Sequence, residues 1–150
     1  MEGQDNHNSK SVSNNKKTPT VINKVCFILY NSRGFSESQK NVLSMITNRN
    51  AVGHKLPIIC NQENFILKGN NCKILRVLPK FHIAINPAIK DDLNTGTPKG
   101  GLFIAIPDSI KGIIKDVSPG HWRVQAITIT SPSSKTLLIN SYFPTNSLYL

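Results

Sequence analysis

Leu56-Pro57-Ile58-Ile59-Cys60-Asn61-Gln62-Glu63 is the stretch on which the fold turns. A short, continuous apolar run reads as a parallel-type strand buried on both faces. A carboxylate straight after it, Glu63, then stands at the sheet edge, where ligands of open α/β sheets collect. Acidic residues are scarce, 8 against 18 Lys and Arg, so its position carries weight. Taken alone, a solvated strand-end carboxylate has the same signature. Two other strand ends strengthen the reading. Tyr30-Asn31 closes the apolar run 25–29, and Asn140-Ser141-Tyr142-Phe143-Pro144 closes Leu137-Leu138-Ile139.

Outward from these points the pattern alternates between sheet and helix. The segment 24–30 reads as a first strand. Ser36, with Gln39 three residues on, has the capping-box pattern of a helix start. Val42, Leu43, Met45 and Ile46 follow at helical spacing as its core stripe. The segment 72–78 suits a short helix stopped by Pro79. In 81–86, Phe81, Ile83 and Ile85 alternate with His82 and Ala84, the signature of a half-buried strand. Residues 91–101 have loop composition, 102–106 form a strand stopped by Pro107, and 110–117 is ambiguous because Gly112 weakens either assignment. The segments 121–130 and 135–142, joined by Ser131-Pro132-Ser133-Ser134, form the clearest hairpin, with Trp122, Val124 and Ala126 alternating before Ile127 and Ile129. This mixture predicts a layered α/β sandwich.

At 150 residues the chain suits one domain. Residues 1–23, rich in Asn, Ser and Lys, cannot bury enough apolar surface to offset their ordering entropy and read as a disordered basic tail. The folded domain is expected over 24–150. The net charge is +10. Such a balance favours polyanionic partners such as nucleic acid, although general solubility explains it too. Cys26 and Cys60 fall in apolar runs and Cys72 in a polar one, without zinc-site or disulfide spacing. With no secretory or membrane-spanning segment apparent, an intracellular location, nuclear or cytoplasmic, and no membrane partner are expected.

The order Asn31-Ser32-Arg33-Gly34-Phe35, Gln62-Glu63, Gly96-Thr97-Pro98-Lys99-Gly100-Gly101, Ser118-Pro119-Gly120-His121-Trp122-Arg123 and Asn140-Ser141-Tyr142-Phe143-Pro144 resembles the endonuclease/exonuclease/phosphatase superfamily. The likeness is to the apurinic-type endonuclease domain of non-LTR (LINE or jockey-like) retrotransposons. It runs from about Lys24 to the C-terminus and rests on order and spacing rather than on any single motif. It implies the N-terminal half of a DNase I-like four-layer α/β sandwich, with DNA as partner and Mg2+ or Mn2+ as cofactor.

By this resemblance Glu63 is the metal-binding carboxylate. A carboxylate suits Mg2+, which takes few protein ligands and keeps several waters. Asn31 matches the first-strand Asn that orients metal ligands and phosphate, and Tyr142 matches a Tyr whose phenol donates to the phosphate. For each a plain structural role remains open: a turn amide for Asn31, an outward hairpin aromatic for Tyr142. Asn140 and Asn146 are further candidate contacts to phosphate or DNA, Asn140 also suiting a turn-fixing role. The chain departs from the pattern at Thr97, where relatives commonly carry Arg, and at Asn146, displaced by Thr145. His7, His54, His82 and His121 match no catalytic position, and the segment 121–123 is assigned to packing and surface charge. The resemblance also implies an Asp-x-Asn and a Ser-Asp-His segment after Tyr142. Without a general base no turnover is expected from this polypeptide alone. The competing reading is a non-catalytic, basic nucleic-acid-binding or scaffold remnant. A lipid- or inositol-phosphate phosphoesterase is a third, because fold does not fix substrate.

Overall fold

The computed structural model describes residues 25–48, 55–90 and 96–143. The proposed tail, and Asn146 with it, lie outside them. In chain order the elements are β1 (Phe27–Asn31), α1 (Glu37–Asn48), β2 (Ile58–Gln62), α2 (Cys72–Val77), β3 (Phe81–Asn86), β4 (Leu102–Pro107), β5 (Ile113–Asp116), β6 (Val124–Ser131) and β7 (Ser134–Ser141). Two sheets result, ordered β1-β2-β4-β3 and β5-β6-β7.

The stretch that opened the reading is the second strand of the first sheet. Its residues 58–61 are buried, as the apolar run requires. It is parallel to β1 but antiparallel to β4, so this sheet is mixed, not parallel. Apolar character on both sides arises because β2 lies between two layers. Ile59 joins the helix-facing core with Leu43, Ile46, Ile74, Leu78, Phe81 and Phe103. Ile58 and Cys60 join the core between the sheets with Ala84, Ile104, Ile106 and Ile127. Burial of the Cys60 thiol pushes its pKa up to about 11. Among the described residues this gives helices, sheet, sheet: three of the four layers expected.

Several local expectations change. Ser36 caps α1, its Oγ accepting from Gln39 N at 3.4 Å. The reciprocal capping-box bond is replaced, however, because Gln39 Nε2 donates to the Ser32 carbonyl at 3.4 Å. Only Leu43 and Ile46 of the predicted stripe are buried, while Val42 and Met45 are 47% and 70% exposed. The helix presents a narrow ridge to the sheet, and i and i+3 alone reach it. Strand β3 alternates as expected, with Phe81, Ile83 and Ile85 facing the helices and His82 exposed; on the other phase Ala84 is buried between the sheets. The ambiguous segment becomes β5, antiparallel to β6.

The β6–β7 hairpin forms with Ser131 opposite Ser134. The residues of β6 that face the first sheet are Ile127 and Ile129, in phase with Gln125. The alternation beginning at Trp122 and Val124 thus belongs to the other phase. Cys26 is exposed and precedes β1, outside the strand in which its apolar run placed it; Cys26, Cys60 and Cys72 are free thiols. No helix among the described residues is long and apolar enough to cross a membrane.

Candidate functional site

The ends of β1, β2 and β7 meet at one rim. After β1 and β2 the backbone ladder continues, with Ser32 N donating to the Gln62 carbonyl at 2.9 Å and Gly34 N to the Glu63 carbonyl at 2.6 Å. Both chains then enter the left-handed region at non-glycine residues: Arg33 at φ 46, Glu63 at φ 53 and Phe65 at φ 57. Such backbone is costly for residues with a Cβ and persists only where surroundings impose it. Here Ser32 Oγ lies within 3.2 Å of the Gln62 carbonyl and 3.3 Å of the Glu63 carbonyl. From the other side, Asn64 N and Phe65 N each donate at 3.2 Å to the carbonyls of Gly101 and Gly100.

A Cβ on Gly101, itself at φ 86, would stand 2.4 Å from Asn64 Oδ1, and one on Gly100 would stand 2.5 Å from the Trp122 ring. The two glycines permit close approach to the Glu63 turn on one side and to Trp122 on the other.

Three of the candidate residues converge. Asn31 Nδ2 donates to Glu63 Oε2 at 2.5 Å, and Asn31 Oδ1 accepts from Arg33 N at 3.1 Å. The Tyr142 hydroxyl reaches the Glu63 carboxylate; burial raises its pKa first, and the bond to Glu63 and its charge raise it further. Arg123 and Arg33 act on the same hydroxyl in the opposite direction. Tyr142 therefore stays a neutral phenol at neutral pH, able to donate to one anionic oxygen at a time.

Asn140, a candidate contact that also suited a fixing role, makes bonds of the fixing kind. It is buried, its Nδ2 donating to the carbonyls of Asn61 at 3.0 Å and Phe103 at 3.3 Å. Gln62 Nε2 donates to its Oδ1 at 3.3 Å and to the Ser141 carbonyl at 2.6 Å. Together Gln62 and Asn140 pin β7 to β2 at the two residues before Tyr142. Asn86 repeats the device across the rim, donating to the carbonyls of His121 at 3.0 Å and Val124 at 3.1 Å. Sequence reasoning gave Gln62 no role beyond its place before Glu63, and Asn86 none. Polar residues at inward strand positions near a rim were the available signal.

The segment 121–123 is more than packing. The Arg123 carbonyl accepts Tyr142 N at 3.0 Å, and its guanidinium carbon lies 4.4 Å from the centre of the Trp122 ring. Trp122 in turn sits 6.4 Å from the Tyr142 ring, with His121 stacked at 5.9 Å. Thr97 is exposed, outside this cluster.

As for a divalent ion, no group of three or more His, Cys, Asp or Glu side chains among the described residues has metal-holding geometry. The donors fit one face of a hydrated cation: the Glu63 carboxylate, with Asn31 already bonded to it. Mg2+ is often held by one or two carboxylates with its waters retained, so the chemistry suits that ion while the ligand set is incomplete.

No protein-family model and no curated protein matches the chain. Its structure, however, aligns with the crystal structure of the AP endonuclease LMAP from Leishmania major at a TM-score of 0.56 and 16% identity. The fold is similar to part of an AP endonuclease fold. The alignment covers 77% of this chain but 39% of that one, so the chain spans well under half the enzyme's length. At this identity the likeness establishes the AP-endonuclease-like fold, and the rim chemistry has to be argued from the residues themselves.

Proposed function

We propose that this chain carries the cation- and phosphate-gripping part of a Mg2+-dependent DNA endonuclease domain of the endonuclease/exonuclease/phosphatase type, of retrotransposon origin, and acts inside the cell. One observation carries the reading: Asn31, Glu63 and Tyr142, 111 positions apart at the extremes, share one set of contacts at a sheet rim. A divalent ion held by Glu63 would neutralise charge on phosphoryl and leaving oxygens. Asn31 fixes the carboxylate, and the neutral Tyr142 phenol supplies a donor to a non-bridging oxygen. DNA as substrate is supported by the AP endonuclease likeness and by the excess of Lys and Arg. A base to accept the proton of the attacking water, and a second carboxylate, would come from the part of the fold this chain does not span. Alone, the polypeptide then holds phosphate without cleaving it.

Mn2+ binding followed by electron paramagnetic resonance tests the assignment. Wild type should bind weakly, Asn31→Ala more weakly still, and Glu63→Gln not detectably. Equal Mn2+ binding by Glu63→Gln and wild type would remove the metal role. The runner-up, a non-catalytic basic nucleic-acid-binding remnant, is favoured by the +10 charge. It predicts DNA binding in EDTA that falls steeply with salt through counterion release and is unchanged by Glu63→Gln.

A further inference from the structure

Two arginines border the rim without a carboxylate of their own. Among the described residues neither Arg33 nor Arg123 has an ion-pair partner. Arg123 Nε is buried and unbonded, an expensive condition for a charged donor unless something completes it. Its guanidinium carbon lies over the Trp122 ring, and its own carbonyl accepts from the backbone N–H of Tyr142. Arg33 is exposed, locked at φ 46 next to Asn31, whose Oδ1 caps its N–H. Both guanidiniums are close enough to act on the Tyr142 hydroxyl. Arg33, Arg123 and Glu63 all act on that one hydroxyl, so two positive charges and one negative charge share its surroundings.

We propose that Arg33 and Arg123 form a cation-independent clamp for the phosphate of a phosphodiester bound beside Tyr142. A guanidinium presents a planar fork of donors that matches phosphate oxygens, which a lysine cannot imitate. Stacking on Trp122 holds the Arg123 fork in place before the ligand arrives, reducing the ordering cost of binding. Gly100 is part of the device, because a side chain there would displace the ring that supports Arg123. The clamp rests on the reading of this rim as a phosphate site, but not on Glu63 holding a metal.

Trp122 is the chain's single tryptophan, so its fluorescence reports on the neighbouring guanidinium. The full chain, in EDTA, is titrated with inorganic phosphate and separately with the dinucleotide TpT. Tyrosine-labelled NMR spectra serve as a second readout that does not depend on Trp122. The expected result is saturable binding of TpT, tighter than that of inorganic phosphate. Arg123→Ala and Arg33→Asn, the latter chosen because Asn tolerates left-handed backbone, should each weaken it about tenfold. Arg123→Lys should weaken it less, and Lys115→Ala, a charge-matched change on exposed β5, should leave it unaltered. Unchanged TpT affinity in both arginine variants overturns the clamp, as does a loss equal to that in Lys115→Ala. Binding of inorganic phosphate with no binding of TpT overturns the diester assignment. Failure of the Mn2+ site with TpT binding intact strikes only the metal reading, and the reverse result strikes only the clamp.

Discussion

The two faces of the first sheet are built on different terms. Under the helices, Leu43, Ile59, Ile74, Leu78 and Phe103 form a closed apolar layer. Toward the second sheet the packing begins in the same way, with Ile58, Cys60, Ile104, Ile106 and Ile127. It then turns polar at the strand ends, where Gln62, Asn86 and Asn140 cross between sheets through side-chain to backbone bonds. Apolar burial is strong but non-directional, whereas hydrogen bonds contribute little net stability and fix geometry sharply. One face holds the molecule together. The other spends stability to set where Tyr142 stands relative to Glu63.

Substitutions that separate stability from rim geometry break or sharpen this contrast. The largest effect is expected at Phe103, fully buried under the helices. Phe103→Ala should cost about 3–5 kcal/mol in urea unfolding, while any protein that remains folded keeps the Tyr142 resonance of wild type. Asn140→Ala leaves two carbonyls and Gln62 without their partner. It should cost roughly 2–3 kcal/mol and, unlike the Phe103 change, should shift Tyr142 in the NMR spectrum. An undisturbed Tyr142 there would detach the seam from the site.

Alkaline titration probes the boundary between the two regimes. The Cys60 thiol ionises near pH 9.0 as a free group but is pushed up to about 11 by burial. Its folded form keeps the proton longer than the unfolded chain. The associated stability is complete below pH 9.0 and is lost as pH rises to about 11, a fall of about 2 kcal/mol. Cys60→Ala should show a shallower decline in denaturation midpoints over this window. Gln125 gives the smallest effect. Its side-chain oxygen and nitrogen are both buried and unbonded, so Gln125→Leu should raise stability by about 1 kcal/mol. A loss instead would mean that the amide serves the seam.

Much of this architecture was legible in the chain because strands and turns advertise themselves locally. The apolar run before Glu63, the cap at Ser36 and the hairpin around Pro132-Ser133 all follow from short-range pattern. Asn31, Glu63 and Tyr142 were legible as candidates because each stands near the end of an apolar run and matches the pattern of the superfamily that the sequence resembles. The rest was set by tertiary context. Whether Met45 or Leu43 is buried depends on how narrowly α1 meets the sheet, and the phase of β6 depends on which layer it faces. Arg33 and Arg123 look like ordinary surface charge in sequence. Their distinction is that among the described residues neither has a carboxylate partner and a tryptophan lies beneath one of them, and neither feature is visible without coordinates.

The central claim is that Glu63 and Tyr142 meet, and the Tyr142 pKa reads it directly. In tyrosine-labelled NMR titrations of wild type and Glu63→Gln, the account predicts a raised value in wild type that drops toward the ordinary tyrosine range in the variant. It should not drop fully, because burial remains the first cause of the shift. An identical Tyr142 titration in both proteins would contradict the convergence of strand ends on which the functional reading stands.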